Sequence, residues 1–304
     1  MSDLLKIKRG TLAQLKTYVP ADGEPVYATD LRQLYVGNGT ASLGVAVTGY
    51  LNSPMTIYVT PSGSATGHGL TVNDSVTPSR SLALASNYNW AKLGDMKINI
   101  GTGSYTLSSN LVWQNPAPLY IVGSPSNPAL TKITTTYDQS YGGVFQVENH
   151  GSMYVDGFNI DTTAANNANN KNRGITSTLD SSVTVANIKF TGNWDTYIMA
   201  VESSCVSIVG DLAMSGVARY GAICADGKST ISLSPITTSL VSSPTITSFI
   251  YATHMSNVIF NGIMQTSGSG TVANKYSLSY SSCVKLNNTI LPGTGTDSAF
   301  NLFL

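Results

Sequence analysis

The sequence predicts an all-β protein, most of which forms a right-handed parallel β-helix built from coils of about 25 residues. Helix-forming residues are scarce: only 11% of the 304 residues are charged, and Glu occurs just three times. Val, Ile, Thr and Tyr alternate instead with Gly, Asn and Ser, the residues of strands and tight turns. The third observation is a repeat, which decides the architecture.

The repeat occupies the C-terminal half of the chain. Each unit begins with a small or polar residue, continues with alternating apolar positions, turns at Gly, Asn or Pro, and ends in a second short strand. A further short strand precedes each unit. The shared apolar positions are Val155, Val185, Ile208, Leu233, Phe260 and Leu286, at intervals of 30, 23, 25, 27 and 26 residues. Three strands and three turns per interval describe one coil, which buries its apolar residues against the coils above and below.

Three regions precede or contain this repeat. We expect an N-terminal module over residues 1–50, a β-helix entry over 51–110, and the β-helix itself over 111–304, with an apolar end at 299–304. In the entry region, Leu82 and Ala85 predict a short helix with Ser79 or Ser81 as its N-cap. In the N-terminal module, two β-like stretches flank a turn and predict a small hairpin; they are Pro25–Thr29 and Gln33–Val36.

Several motifs in the N-terminal module occur in a fixed order: Arg9-Gly10-Thr11, Gly23-Glu24, Thr29-Asp30, and Val36-Gly37 with Gly39. This order resembles the N-terminal module of phage tail fibres and phage host-tropism proteins, with Asn38 where an acidic residue is common. The entry region resembles the opening of pectate-lyase-like β-helices, in which a short helix caps the first coil and covers a bare sheet edge.

These resemblances imply a bacteriophage tail-spike or tail-fibre subunit. They imply a homotrimer that binds other phage tail or virion proteins through its N-terminal module and that also binds host-surface polysaccharide. The chain would then be located in the virion after assembly in the host cytoplasm, since its N-terminus has no apolar signal segment.

Charge and motif content argue against other classes of function. Sixteen basic residues balance sixteen acidic ones without a basic stripe, which argues against nucleic-acid binding. The sequence contains no run of about 18 apolar residues, so we do not expect a segment that spans a membrane. Three Cys and three scattered His give no metal-ligand spacing, and no nucleotide motif occurs, so we expect neither a metal nor a cofactor.

Acidic residues are the candidates for catalysis, because glycoside hydrolysis requires two carboxyl groups at a defined separation. Glu148 and Glu202 both end the strand that precedes a repeat unit, in coils two apart, so they could share one face. Asp180 and Asp226 occupy similar turns. Solenoid turns are rich in Asp in any case, so these positions are equally compatible with a purely structural role.

A second candidate site combines aromatic and acidic residues. Trp194, Asp195 and Tyr197 could bind a sugar by ring stacking and hydroxyl contacts, with Asp195 as a further catalytic candidate. A structural Trp at a coil corner is the alternative. The polar insertion at 162–174 adds Asn169, Asn170 and Arg173 as carbohydrate-binding candidates, or is a passive solvated loop.

Two functions therefore remain open. In the first, the chain is a non-enzymatic appendage that binds host-surface glycan or has a structural role. In the second, it is a polysaccharide depolymerase, a hydrolase or lyase, that acts on host capsule or O-antigen. The few acidic residues and the short chain favour the first.

Overall fold

The computed structural model describes residues 7–31, 33–40, 42, 44–46, 55–86, 96–135, 142–162, 172–287, 289–293 and 302–303. The chain forms two compact units, one made chiefly of residues 1–51 and the other chiefly of residues 52–304. Among the described residues, no helix has the length and apolar character needed to cross a membrane.

The first unit is a four-stranded sheet with one short helix. Its elements are β1 (Lys8–Gly10), α1 (Leu12–Leu15), β2 (Pro25–Ala28), β3 (Gln33–Val36) and β4 (Val45–Ala46). The strands lie in the order β1-β2-β3-β4, with β1 parallel to β2 and the other pairs antiparallel. The predicted hairpin is confirmed as β2 and β3, whereas α1 is an element that the sequence analysis did not predict.

The motif residues of the first unit hold its turns in place. Thr11 caps α1 in a reciprocal capping box with Gln14, and the Asp30 carboxylate accepts the N–H of Leu12 at 2.9 Å. Glu24 accepts hydrogen bonds from the Tyr18 hydroxyl at 2.6 Å and from a backbone N–H at 2.8 Å. The motif positions are therefore required, at least in part, by local structure.

The second unit is a parallel β-solenoid. Its helix is α2 (Pro78–Ser86), and 3₁₀ turns occur at Val72–Asp74 and Pro128–Leu130. Its strands are β5 (Met55–Ser64), β6 (Met96–Ile100), β7 (Gly103–Leu107), β8 (Leu111–Trp113), β9 (Pro118–Val122), β10 (Thr131–Thr135), β11 (Gly143–Val147), β12 (Ser152–Thr162), β13 (Arg173–Ser177), β14 (Ser182–Ala200), β15 (Cys205–Ile208), β16 (Leu212–Met214), β17 (Val217–Ala225), β18 (Thr230–Leu233), β19 (Thr237–Leu240), β20 (Thr245–Ala252), β21 (Asn257–Phe260), β22 (Gln265–Gly268), β23 (Thr271–Leu278), β24 (Cys283–Lys285) and β25 (Leu302–Phe303).

These strands form three parallel faces. Face one contains β5, β6, β9, the start of β12, the start of β14, β15, β18, β21, β24 and β25. Face two contains β7, β10, the end of β12, the middle of β14, β16, β19 and β22. Face three contains β8, β11, β13, the end of β14, β17, β20 and β23.

The predicted repeat register is confirmed on face one. Val155 pairs with Val185, Val185 with Ile208, Ile208 with Leu233, and Leu233 with Phe260. The same column continues upstream of the recognised repeat through Ile121, Ile98 and Ile57. All these side chains are buried, and burial of each stabilises the fold by roughly 1.5–3 kcal/mol.

The predicted capping helix is present as α2, which packs against the first strands of faces one and three, β5 and β8. The predicted N-cap was wrong. The helix begins at Pro78, and the Thr77 hydroxyl accepts the N–H of Arg80 at 3.3 Å. Ser81 is buried within the helix and donates to the carbonyl of Pro78 at 2.6 Å. Proline suits the first helical position because its missing N–H would have no partner there.

Six successive turns from face three to face one, from the turn after β11 to the turn after β23, share one backbone conformation, and together we call them the turn edge. Each contains two successive residues with φ between 51° and 65°. The pairs are Asn149-His150, Leu179-Asp180, Glu202-Ser203, Gly227-Lys228, His254-Met255 and Tyr280-Ser281. This left-handed conformation turns the chain from face three to face one within two residues.

A column of buried serines follows the turn edge, and we call it the serine ladder. It consists of Ser181, Ser204, Ser229, Ser256 and Ser282, which are at most 3% exposed. The N–H of each of the first four donates to the hydroxyl of the serine in the next coil, at 3.2–3.3 Å. The ladder therefore satisfies backbone groups that the turn leaves without a carbonyl partner.

Only the backbone of Leu302–Phe303 is described within the apolar end at 299–304. It forms β25, which pairs in parallel with β24 and extends face one.

Candidate functional site

The two glutamates proposed as catalytic candidates lie near the same edge of the solenoid, but they do not stack. Val147 pairs with Ser177 of the next coil, and Ser177 pairs with Ala200 of the coil after it. Glu148 is therefore in register with Val201, one position before Glu202. Two coils separate them by roughly 10 Å along the axis. That backbone separation, together with the offset of one position, lies at the upper limit of the ~6.5–9.5 Å between the carboxyl groups of inverting glycosidases, so the backbone geometry gives this pair no specific support.

Glu148 is also held by its neighbours. The side-chain amide of Gln114 donates to one carboxylate oxygen, and that of Gln146 donates to the other at 2.9 Å. Glu202, in contrast, is exposed and occupies the first left-handed position of its turn.

The predicted aromatic platform lies in the interior. Trp194 and Tyr197 are both fully buried; the Trp194 indole donates to the carbonyl of Thr191 at 2.7 Å, and Tyr197 stacks on Phe190 at 4.9 Å. Burial also raises the pKa of Tyr197. In this arrangement neither ring presents a face to a sugar. Asp195 is 2% exposed and forms an ion pair with Arg219 at 2.8 Å.

The remaining predicted residues fall at the insertion. Asn169 and Asn170 lie outside the described residues. Arg173 opens β13, is half-buried, and pairs with Gly143 and Thr196 in the neighbouring coils. Among the described residues, no group of three or more His, Cys, Asp or Glu could hold a metal ion.

The structure brings together a different set of residues at the turn edge. His254 Nδ1 lies 2.7 Å from Asp226 Oδ1, in the neighbouring coil. The His254 ring stacks on the Tyr280 ring of the next coil, with centroids 4.5 Å apart and planes 7° from parallel. Because a carboxylate only accepts, the Nδ1–H group is the donor of this hydrogen bond and Asp226 Oδ1 is the acceptor. Three successive coils thus contribute one side chain each.

Two more tyrosines extend this cluster on face three. A Cβ on Gly221 would lie 2.9 Å from the Cβ of Tyr251, so the glycine leaves room for Tyr251, and Tyr220 adjoins it in the chain. Partial burial is the chief cause of the raised pKa of Tyr251, and its neighbours add to the rise; they are Cys224, Asp226, Tyr220 and Tyr280. We call Tyr220, Tyr251, His254, Tyr280 and Asp226 the tyrosine patch.

The tyrosine patch is accessible. Tyr280 is 69% exposed and Tyr220 is 47% exposed, values that are high for large aromatic side chains. The guanidinium of Arg219 lies 4.9 Å from the Tyr220 ring centroid and packs against that ring in a cation–π contact. The second oxygen of Asp226 has no hydrogen-bond partner within the described parts of the chain. The patch therefore offers ring faces, hydroxyl groups and a carboxylate acceptor together.

Sequence reasoning missed this patch for a specific reason. His254 was one of three scattered histidines to which no role was assigned from the sequence, because its partners lie 28 residues before it and 26 residues after it. The signal was present in the repeat itself: with Phe260 and Leu233 in register, Tyr280, His254 and Gly227 fall in one column.

Comparison with known proteins gives its clearest result for the first unit. Residues 5–41 match the family model of the major tropism determinant N-terminal domain. The resemblance drawn from the Arg9–Thr11, Glu24 and Asp30 motifs is thereby confirmed, and the N-terminal module is of the phage tropism-determinant type. The match covers this module alone.

The architecture of the second unit is established by its strand pairing. Among solved structures, the chain is similar to the crystal structure of pectate lyase Pel9A, with 12% identity, a TM-score of 0.38, and coverage of 84% of this chain and 80% of that one. So distant a likeness says nothing about activity. No curated protein sequence matches the chain.

Proposed function

We propose that this chain is a phage virion appendage subunit that binds host-surface polysaccharide through the tyrosine patch. The tropism-determinant module would join the subunit to other virion proteins, and the solenoid would present the binding surface. The observation that carries the proposal is the exposed cluster of rings around Asp226, built from successive coils in a chain with that module.

The chemistry of the patch fits a sugar polymer. Sugars bind by stacking an apolar ring face on an aromatic side chain while polar groups hold the hydroxyls. The Tyr280 ring supplies an accessible face, and the free oxygen of Asp226 supplies an acceptor. Because coils repeat every ~4.8 Å, a linear polymer can contact several of them along the edge.

The experiment measures binding of the purified full-length chain to a panel of bacterial capsular and O-antigen polysaccharides. Tyr280→Ala is expected to weaken binding by roughly 5- to 150-fold, because loss of one aromatic stacking contact removes about 1–3 kcal/mol. Tyr120→Ala is the matched control, since Tyr120 forms a ring pair with Tyr154 on face one. Loss of binding in the control but not in Tyr280→Ala would refute the assignment of the patch.

Depolymerisation of the same polysaccharide is the second candidate, and one observation favours it. Glu202 and Asp226 lie in adjacent coils one column apart, and a Cβ on Gly227 would lie 3.1 Å from the N of Glu202. Adjacent coils are ~4.8 Å apart, close to the ~5 Å spacing of retaining glycosidases. Release of reducing ends, lost in Glu202→Gln with binding retained, would identify an enzyme. Binding without release would leave an adhesin.

We also propose a homotrimer located in the virion, on the basis of the resemblance to tail spikes and the tropism-determinant module. Light scattering on the purified chain is expected to give three times the chain mass of 32.0 kDa. Peptides of this chain should be found by mass spectrometry in purified phage particles. A monomer in solution would contradict the first proposal, and its absence from particles would contradict the second.

A further inference from the structure

A groove of about 270 Å³ crosses face two, away from the tyrosine patch. One wall is the segment 125–129, which contains a 3₁₀ turn, and the other side is formed by β14, β16 and β19. The groove is open to solvent and combines apolar with polar lining residues; those that matter below are Pro125, Pro128, Lys189, Asp211, Ala213 and Ser239.

The polar residues of the groove provide both donors and acceptors. Lys189 is half-buried, and its ammonium group makes no hydrogen bond or ion pair within the described residues. One oxygen of Asp211 accepts the N–H of Thr237 at 2.8 Å, which fixes the carboxylate and leaves its other oxygen available. Ser239 lines the groove beside Ala213 in the next coil, and its hydroxyl pairs with that of Ser267 at 3.1 Å.

The apolar residues of the groove provide flat, rigid surfaces. Pro125 and Pro128 form the wall, and Ala213 occupies a position on β16 where the preceding coil has Lys189. The small side chain at Ala213 therefore creates the depth of the groove. A ring can lie against the prolines without ordering a flexible side chain, which lowers the entropic cost of binding.

We propose that this groove is a second saccharide-binding site, which holds a single sugar residue of the host polysaccharide. It rests on the proposed function for its class of ligand but on none of the residues of the tyrosine patch. The volume lies just below the ~300–1,000 Å³ of typical small-molecule pockets, which suits one sugar ring with its chain continuing into solvent.

The balance of charge favours a hydroxylated ring over an anion. Lys189 is accompanied by Asp211 in the lining, and Asn187, also in the lining, donates to Asp156 at 2.9 Å. A phosphate in the groove would meet the Asp211 carboxylate beside the single ammonium group of Lys189. Adjacent hydroxyls of a sugar can instead accept from Lys189 and donate to Asp211 at the same time.

Saturation-transfer NMR on the full-length chain tests the proposal, with the methyl glycosides of glucose, galactose, mannose and N-acetylglucosamine as probes. At least one glycoside is expected to bind, and Lys189→Ala should weaken that binding by about tenfold or more, the effect of one charged hydrogen bond. Ala213→Phe, which fills the groove and keeps its charges, should abolish it. Lys285→Ala, an exposed lysine on face one, is the matched control.

The outcomes separate this proposal from that for the tyrosine patch. Glycoside binding that survives Tyr280→Ala and is lost in Ala213→Phe supports the groove, whatever the polysaccharide panel gives. Binding that both groove variants retain, or that Tyr280→Ala alone abolishes, overturns it, and so does the absence of binding by all four glycosides. Polysaccharide binding lost in Tyr280→Ala would still support the patch in each of these cases.

Discussion

Removal of one hydroxyl from the serine ladder should destabilise the solenoid measurably. In Ser229→Ala, the N–H of Ser204 loses the acceptor that it now has at 3.2 Å. Both residues are fully buried, so water cannot replace the lost partner. An unsatisfied buried donor costs about 1–3 kcal/mol, whereas the alanine itself fits the space that serine leaves. We expect the free energy of unfolding to fall by that amount.

The matched control lies three residues away in the same coil. Ser232 pairs its hydroxyl with that of Ser207 at 3.2 Å, but on the partly exposed side of face one. Ser232→Ala should therefore change stability by less than about 0.5 kcal/mol. Thermal unfolding followed by circular dichroism compares the two, with about 2–4 °C expected per kcal/mol. Equal midpoints for both variants would refute the view that the ladder satisfies buried backbone groups.

Two further predictions concern single residues of the solenoid. Gly216→Ala should lower the free energy of unfolding by roughly 1–3 kcal/mol from its φ of +100° alone, and by more because the new Cβ would lie 1.9 Å from the carbonyl oxygen of Gly192. Gly101→Ala, at a glycine without a positive φ, is the control in thermal unfolding. Equal stability of the two variants would contradict the reasoning. Burial raises the pKa of the Cys224 thiol to about 12. In the native protein at pH 8, a thiol reagent should therefore label the exposed Cys205 and spare Cys224, as peptide mapping can establish.

The fold was predictable because its signal repeats. One apolar position per coil, from Val155 to Phe260, was enough to fix the register of face one, since each coil is an independent observation of the same pattern. The column upstream, from Ile57 to Ile121, was not recognised because its spacing of 41 and 23 residues is irregular. Helix α1 was missed although Thr11 and Gln14 form a capping box. A helix of only four residues is too short to show a periodic pattern of apolar residues in the sequence.

The candidate site was harder to predict because side-chain direction depends on details of each coil. The pairing register between β14 and β17 shifts at Trp194. The Trp194 ring is buried there, whereas the sequence predicted that it would form an exposed platform. Glu148 and Glu202 differ by one column, which a comparison of strand ends cannot resolve. Contacts such as His254 with Tyr280 require the exact register of three coils, which only the structure supplies.

The turn edge also bears on how such a surface can change. Leu179, Glu202, Met255 and Tyr280 hold left-handed backbone conformations that glycine or asparagine would adopt at lower cost. The larger side chains at these positions therefore carry a backbone cost that glycine would avoid. Because each is confined to a single coil and leaves the core column beside it untouched, a substitution there alters one rung of the exposed surface at a time. The exposed surface of the turn edge can therefore change one residue at a time while the solenoid stays intact.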